Sequence, residues 1–141
     1  VRSLTAAAPA YLEARGRPIV PADLADHDCL GYSYLNGGGL WTFEGPSGQV
    51  RHKFAPRLMS NNGTALAAAA ERGLGVVQMP SFIIGAAVRD GRLEEILADH
   101  RKPDVGLYAV YPAGRPLAAK VRAFIDFAVG VLGDTDADLS R

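Results

Sequence analysis

The clearest periodic signal in the chain lies near its end. Leu117, Val121, Phe124, Ile125, Ala128, Val131 and Leu132 recur at helical spacing and predict an amphipathic helix whose apolar stripe needs a sheet to cover. From Gly133 the pattern stops, and the acidic, polar run 133–141 is expected to be a flexible tail. Earlier in the chain the spacing changes from helical to alternating and back. Val1 to Ala8 is read as extended, Pro9 opens a short helix that Gly16 ends, and Pro21 to Asp26 gives a second helical turn with Asp23 near its positive end. Cys29 to Leu35 alternates as a strand and is broken by Asn36-Gly37-Gly38-Gly39.

Trp41 and Phe43 share one strand face, and Val50, His52 and Phe54 share another, while Gly45-Pro46-Ser47-Gly48 supplies the turn between them, which predicts a hairpin. Arg51 and Lys53 then face water. Pro56 to Ser60 reads as a strand leading into Ser60-Asn61-Asn62-Gly63, an alanine-rich helix, a stop at Gly73 and a second short strand, Gly75 to Met79. Strand, helix and strand joined by short links imply a parallel right-handed crossover. Ser81 is expected to cap a helix running to about Asp90. Arg92 to Leu97 is ambiguous, and Val105 to Tyr111 reads as a strand stopped by Pro112.

Composition narrows the function classes. With 48% hydrophobic and 21% charged residues over 141 positions, the chain has the make-up of a folded domain or two small lobes. Fifteen basic residues balance fifteen acidic ones, so charge supplies neither a nucleic-acid footprint nor a membrane-surface patch and favours a small-molecule or protein partner. The apolar runs are too short to span a membrane, and a single cysteine, Cys29, allows no internal disulfide, which makes the cytoplasm the expected compartment.

Catalytic and metal chemistry find little support. His27, His52 and His100 lack a second ligand at helical spacing, and His27 with Cys29 gives only a lone i,i+2 pair. Ser47 lies in GPSGQ, not in a G-x-S-x-G elbow, and neither a phosphate-cradling loop nor H-E-x-x-H is present. Asp99, Asp104 and Asp126 are scattered, and Arg115 on a loop reads as a surface charge. No enzyme, no metal and no cofactor are therefore expected. The binding candidate is Ser60 to Gly63, since unpaired N–H groups and the positive end of the dipole at a helix start suit an anion or hydrogen-bonding ligand. Ordinary capping explains the same residue types and is worth about 0.5–2 kcal/mol. Among the aromatic residues, Phe82 is kept as a pocket candidate because of its place after Met79-Pro80; the others read as core.

Seven blocks carry a family resemblance. PAYLEARGRP, PADLADHDCLGY, the W-T-F strand with its following Gly, SNNGTALAAAAERGLGVVQMP, GRLEEIL, LYAVYP and RAFIDF occur here in the order and spacing that resemble the effector-binding domain of LysR-type transcriptional regulators, from Val1 to about Val131. The resemblance implies an α/β fold like the type 2 periplasmic binding proteins, with two αβ lobes joined by two crossover strands and a small effector between them. Residues 9–80 would form lobe two. Residues 1–8 and 81–132 would form the remainder of lobe one, incomplete because the chain is expected to have been cut from something longer. Ala7 to Pro9 would be the first crossover and Met79 to Phe82 the second. Ligand contacts would come from Ala7, Ala8, Ser60, Asn61, Asn62, Gly63, Met79 and Phe82, with Thr64 beside them.

The implied role is effector sensing within a homo-oligomeric regulator, with DNA bound only through an N-terminal winged helix-turn-helix outside this sequence. A periplasmic-type solute-binding protein of a transporter, which shares the fold, is the alternative. Added zinc is expected to leave the melting temperature unchanged in a thermal-shift assay; a stoichiometric rise would overturn the reading of the histidines.

Overall fold

The computed structural model describes residues 1–104, 106, 110 and 118–137, with residues 36 and 132–137 in their backbone only. Of the strand expected at Val105 to Tyr111 only residues 106 and 110 are described, so that expectation and the loop residue Arg115 lie outside what the structure describes. Arg2–Val105 packs as one compact unit; the helix α4 (Ala119–Ala137) belongs to a second and is described by itself.

The first unit is built on a mixed five-stranded sheet. Its strands are β1 (Ser3–Ala7), β2 (Cys29–Tyr32), β5 (Leu58–Ser60), β6 (Val76–Pro80) and β7 (Glu94–Ile96), in the spatial order β5-β2-β6-β1-β7. β2 runs parallel to both β5 and β6, whereas β1 is antiparallel to β6 and β7. The parallel arrangement expected for the strand-helix-strand segment is thus present, with β2 lying between its two strands.

Alternation along each strand sends side chains to two separate cores. On one face, Leu4, Ala6, Leu30, Val77 and Met79 meet Leu66, Ala67 and Ala70 of α2 (Gly63–Glu71) and Ile84 and Ala87 of α3 (Ser81–Arg89). On the other, Ala7, Cys29, Val76 and Ile96 meet Tyr11 and Leu12 of α1 (Pro9–Arg15), Leu24 of the 3-10 turn Pro21–Asp26, and Trp41 and Phe43 of the hairpin. The alanines of α2 let its axis approach the sheet closely. Gly73, at φ 77°, then turns the chain out of the helix, its N–H bonding to the Ala70 carbonyl at 2.9 Å. Gly75 allows β6 to pass Asp28, because a Cβ there would stand 2.2 Å from the Asp28 carbonyl oxygen.

The hairpin forms as the alternation predicted. β3 (Leu40–Gly45) and β4 (Gly48–Lys53) pair with Trp41 opposite His52 and Phe43 opposite Val50, and Arg51 and Lys53 are exposed. The Trp41 and Phe54 rings pack with their centroids 4.6 Å apart. Asp23 accepts the backbone N–H groups of Ile19 and Val20, which holds its carboxyl below the usual range and fixes the start of the 3-10 turn.

Several expectations need correction. β2 stops at Tyr32, and residues 33–35 turn away instead of extending the strand to Leu35. The ambiguous Arg92 to Leu97 contains an edge strand, β7, whose pairing with β1 nothing local in its sequence announces. Pro80, not Ser81, holds the N-cap position of α3; the buried Ser81 makes no side-chain cap bond and gives its N–H to the Arg2 carbonyl. β1 and β7, assigned to one lobe by the sequence reading, share a sheet with β2, β5 and β6, assigned to the other. The chain also stays within the same compact unit after Met79 to Phe82, so the second crossover expected there is not a boundary of this unit.

α4 confirms the predicted final helix and runs on past Gly133 to Ala137, over part of the expected tail. Replacing Leu66, which is fully buried between α2 and the sheet, is the sharpest test of this packing. Leu66→Ala is expected to cost about 2–5 kcal/mol in urea unfolding; a loss below about 1 kcal/mol would mean that α2 does not seal this core.

Candidate functional site

The three parallel strands all deliver their carboxyl ends to one edge of the sheet. Tyr32 of β2 pairs with Ser60 of β5, and Leu30 pairs with Val77, so the end of β6 at Met79 and Pro80 lies level with both. The helices that follow β5 and β6 start at this edge. Open α/β sheets bind ligands at such places, where strand ends and helix N-termini converge.

Backbone bonds fix the edge. The Ser33 N–H donates to the Ser60 carbonyl at 3.0 Å, and Ser60 Oγ accepts the Asn62 N–H at 3.0 Å. Asn62 Oδ1 accepts the Ala65 N–H at 3.1 Å and caps α2, as the residue types predicted. Asn61 Nδ2 reaches across to the Tyr34 hydroxyl at 3.2 Å, and the Tyr34 ring stands edge-on to Tyr32 with centroids 5.8 Å apart. Gly63 sits against α3, since a Cβ there would lie 2.8 Å from Ile83 Cδ1 and 3.5 Å from Met79 Sδ. The first turn of α2 is therefore seated on its neighbour, while Asn61, Asn62 and Thr64 remain exposed.

Of the residues expected to contact a ligand, Ser60, Asn61, Asn62, Gly63 and Met79 come together here, and Phe82 lies in the first turn of the adjoining α3. They do not play one role. Phe82 is 71% exposed in the first turn of α3, whereas Met79 is only 3% exposed and forms part of the core beneath Gly63. Ala7 and Ala8 are elsewhere. Because β1 runs antiparallel to β6, Ser3 lies opposite Pro80, and Ala7 is four residues further on, about 13 Å away at strand spacing. Both alanines are buried against Tyr11 and Leu12 in the opposite core, so the first crossover placed at Ala7 to Pro9 does not adjoin this edge.

Tyr32 and Tyr34 are the side chains that sequence reasoning missed. Alternation alone placed both in a strand, and nothing local signals that the chain turns after Tyr32 to lay Tyr34 over Asn61. Ser60, Asn61, Asn62, Tyr32 and Tyr34 bring hydroxyl and amide groups to this edge. The site can thus offer hydroxyls, amides and the positive end of a helix dipole, a set suited to hydrogen bonding with a small polar or anionic molecule.

The titratable groups lie apart. His27 Nδ1 is 3.2 Å from the Tyr11 hydroxyl, His100 Nδ1 is 2.8 Å from the Glu44 carbonyl oxygen, and His52 stacks on Phe54. Burial lowers the affinity of His52 for a proton, and its Nε2 has no hydrogen-bond partner. Among the described residues, no three His, Cys, Asp or Glu side chains are placed to hold a metal ion. Burial first, and the nearby Asp28 carboxylate second, push the Cys29 thiol up to about 12.

The LysR substrate binding domain family matches residues 1–133. The chain belongs to this family. It is 34% identical over 125 residues to the HTH-type transcriptional regulator PtxR of Pseudomonas aeruginosa, covering 89% of this chain and 40% of PtxR. It is likewise 34% identical over 128 residues to the uncharacterized HTH-type regulator YhjC of Escherichia coli, covering 89% of this chain and 43% of YhjC. The LysR-type chain thus spans about two-fifths of the length of these curated relatives. Among solved structures, the CrgA regulatory domain of Neisseria meningitidis superposes with a TM-score of 0.74 at 27% identity, over 92% of this chain and 64% of that one. Full-length AphB of Vibrio cholerae gives 0.69 at 26%, over 93% and 45%.

The fold is accordingly that of the LysR substrate-binding domain, α/β and like the type 2 periplasmic binding proteins. Its class is the effector-binding domain of LysR-type regulators, and these comparisons lend no support to the transporter alternative. No described helix is long and apolar enough to cross a membrane. With its thiol so far from ionisation, Cys29 is expected to react with a disulfide reagent at pH 8 on the order of a thousandfold more slowly in the folded protein than in urea. Comparable rates in a stopped-flow thiol assay would show the side chain to be accessible.

Proposed function

We propose that this chain is the effector-sensing part of a LysR-type regulator, non-enzymatic and cytoplasmic, and that its effector binds at the edge formed by Ser60, Asn61, Asn62 and Gly63. The observation that carries this is the convergence of three parallel strand ends with the first turn of α2, whose polar groups face outward and carry no charge. Tyr34 flanks the polar turn as one wall, the exposed Phe82 of α3 is a candidate for another, and Met79 serves as the floor that holds Gly63 in place. The effector is a small molecule bound without metal or cofactor.

In the whole regulator, a homo-oligomer, the effector acts by binding one arrangement of subunits better than another, which is the only way a ligand can shift such an equilibrium. DNA is contacted by a helix-turn-helix part of that protein; fifteen basic and fifteen acidic residues leave the present chain without the electrostatic footprint for it. Catalysis would need a reactive group at the edge, and among the described residues the polar side chains gathered there are amides and hydroxyls that bond to one another and to backbone.

The test is Asn62→Ala in the full regulator, after a thermal-shift screen of metabolites has supplied a binder. The variant is expected to weaken effector affinity at least tenfold while costing about 1 kcal/mol of stability from the lost cap. Lowered stability with unchanged affinity would reduce Asn62 to a capping residue and remove the pocket role.

A further inference from the structure

Residues 27–29 form a hydrogen-bonded junction between four elements. From α1, the buried Tyr11 hydroxyl accepts the Asp28 N–H at 2.9 Å and lies 3.2 Å from His27 Nδ1. Among the described residues the phenol has no other acceptor for its own proton, so its bonding is complete when it donates to an unprotonated Nδ1. That arrangement places the imidazole proton on Nε2 and keeps His27 neutral. The next residues anchor two strands. The Asp28 carbonyl accepts the Val76 N–H at 2.8 Å at the foot of β6. At the foot of β5, the Cys29 carbonyl accepts the Arg57 N–H at 3.0 Å and the Asp28 carboxylate pairs with the Arg57 guanidinium at 2.7 Å. β5 is only three residues long, and it ends at Ser60.

We propose that His27 is an acid-sensitive latch: neutral, it completes the Tyr11 bond and holds the junction that fixes Arg57 and β5, and protonated, its Nδ1 can no longer accept from the Tyr11 hydroxyl, which keeps its proton but loses that acceptor, and the junction loosens. The consequence for an effector rests on the reading of Ser60 to Gly63 as its binding edge; the latch itself does not.

The charges around the ring set the direction. α1 contributes Arg15 beside the neutral Tyr11 hydroxyl, the 3-10 turn contributes Asp23 and Asp26, and Asp28 follows directly. β4, which packs on the same turn, carries Arg51, His52 and Lys53. Burial and then Arg15 push His27 below its ordinary value of 6.5, against the opposing pull of the three carboxylates. A base whose folded value is lowered prefers to protonate in the unfolded chain. Its contribution to stability is therefore complete above about pH 6.5 and shrinks as pH falls from there through the folded value.

The experiment is an NMR titration of the ligand-free labelled protein from about pH 7.5 to about pH 5, across the imidazole range. The His27 ring is expected to titrate below 6.5, and the amides of Asp28 and of Arg57 to Ser60 to move with the same midpoint. His27→Gln should abolish that movement and leave the resonances that follow His52 unchanged. Tyr11→Phe, which removes the competing proton, should bring the His27 midpoint upward. A ring midpoint at or above 6.5, silent Arg57 to Ser60 amides, the same amide movement in His27→Gln, or no upward change in Tyr11→Phe would each overturn the latch. Because no effector is present, none of these outcomes bears on whether Ser60 to Gly63 binds one.

Discussion

The structure depends most on the pairing of β6. It is the middle strand of the five, parallel to β2 on one side and antiparallel to β1 on the other. Val77 and Met79 point into the core under α2 and α3, while Val76 points into the core under α1 and the hairpin. Full burial of a valine or methionine is worth about 1.5–3 kcal/mol each, so one short strand contributes to both cores at once. A one-residue slip in its register would exchange the two sets of side chains and disrupt both.

The candidate site inherits its geometry from that pairing. With β6 fixed, β2 and β5 take their places beside it, and their carboxyl ends reach the same level. The polar groups at the edge are then held by backbone N–H donors, from Ser33 to the Ser60 carbonyl and from Asn62 to the Ser60 side-chain Oγ. Gly63 has no side chain to hold α2 off its neighbour, which lets the helix start close to Ile83. Asn61 and Asn62 are left exposed beside an aromatic pair, Tyr32 and Tyr34, that only the turn after β2 brings near.

A network of ion pairs ties the outer parts of this unit together. Arg92 links Glu71 at the end of α2 with Asp90 at the end of α3, and Arg101 makes a two-pronged bond to Glu95 of β7. Arg17 also pairs with Glu94 and reaches the Glu95 carbonyl, which occupies the outer edge of β7 with a charged side chain. Charge on an outer strand discourages pairing with another chain. The opposite edge strand, β5, carries the exposed Leu58 and Met59 instead.

By itself the sequence determined whatever depends on neighbours a few residues apart. The α2 helix with its Asn62 cap and Gly73 stop, the Gly45 to Gly48 hairpin and the final amphipathic helix all follow from local spacing and turn chemistry, and seven ordered blocks were enough to suggest the family. Only the tertiary structure decided which strands pair. Nothing near Ser3 to Ala7 states that β1 runs antiparallel between β6 and β7, and that direction is what carries Ala7 and Ala8 away from Ser60 to Gly63. Likewise, nothing near Met79 states that the chain remains in the same unit after it. Strand partners are chosen by contacts between residues far apart in sequence, whereas the side-chain pattern of a strand records only which of its faces is buried.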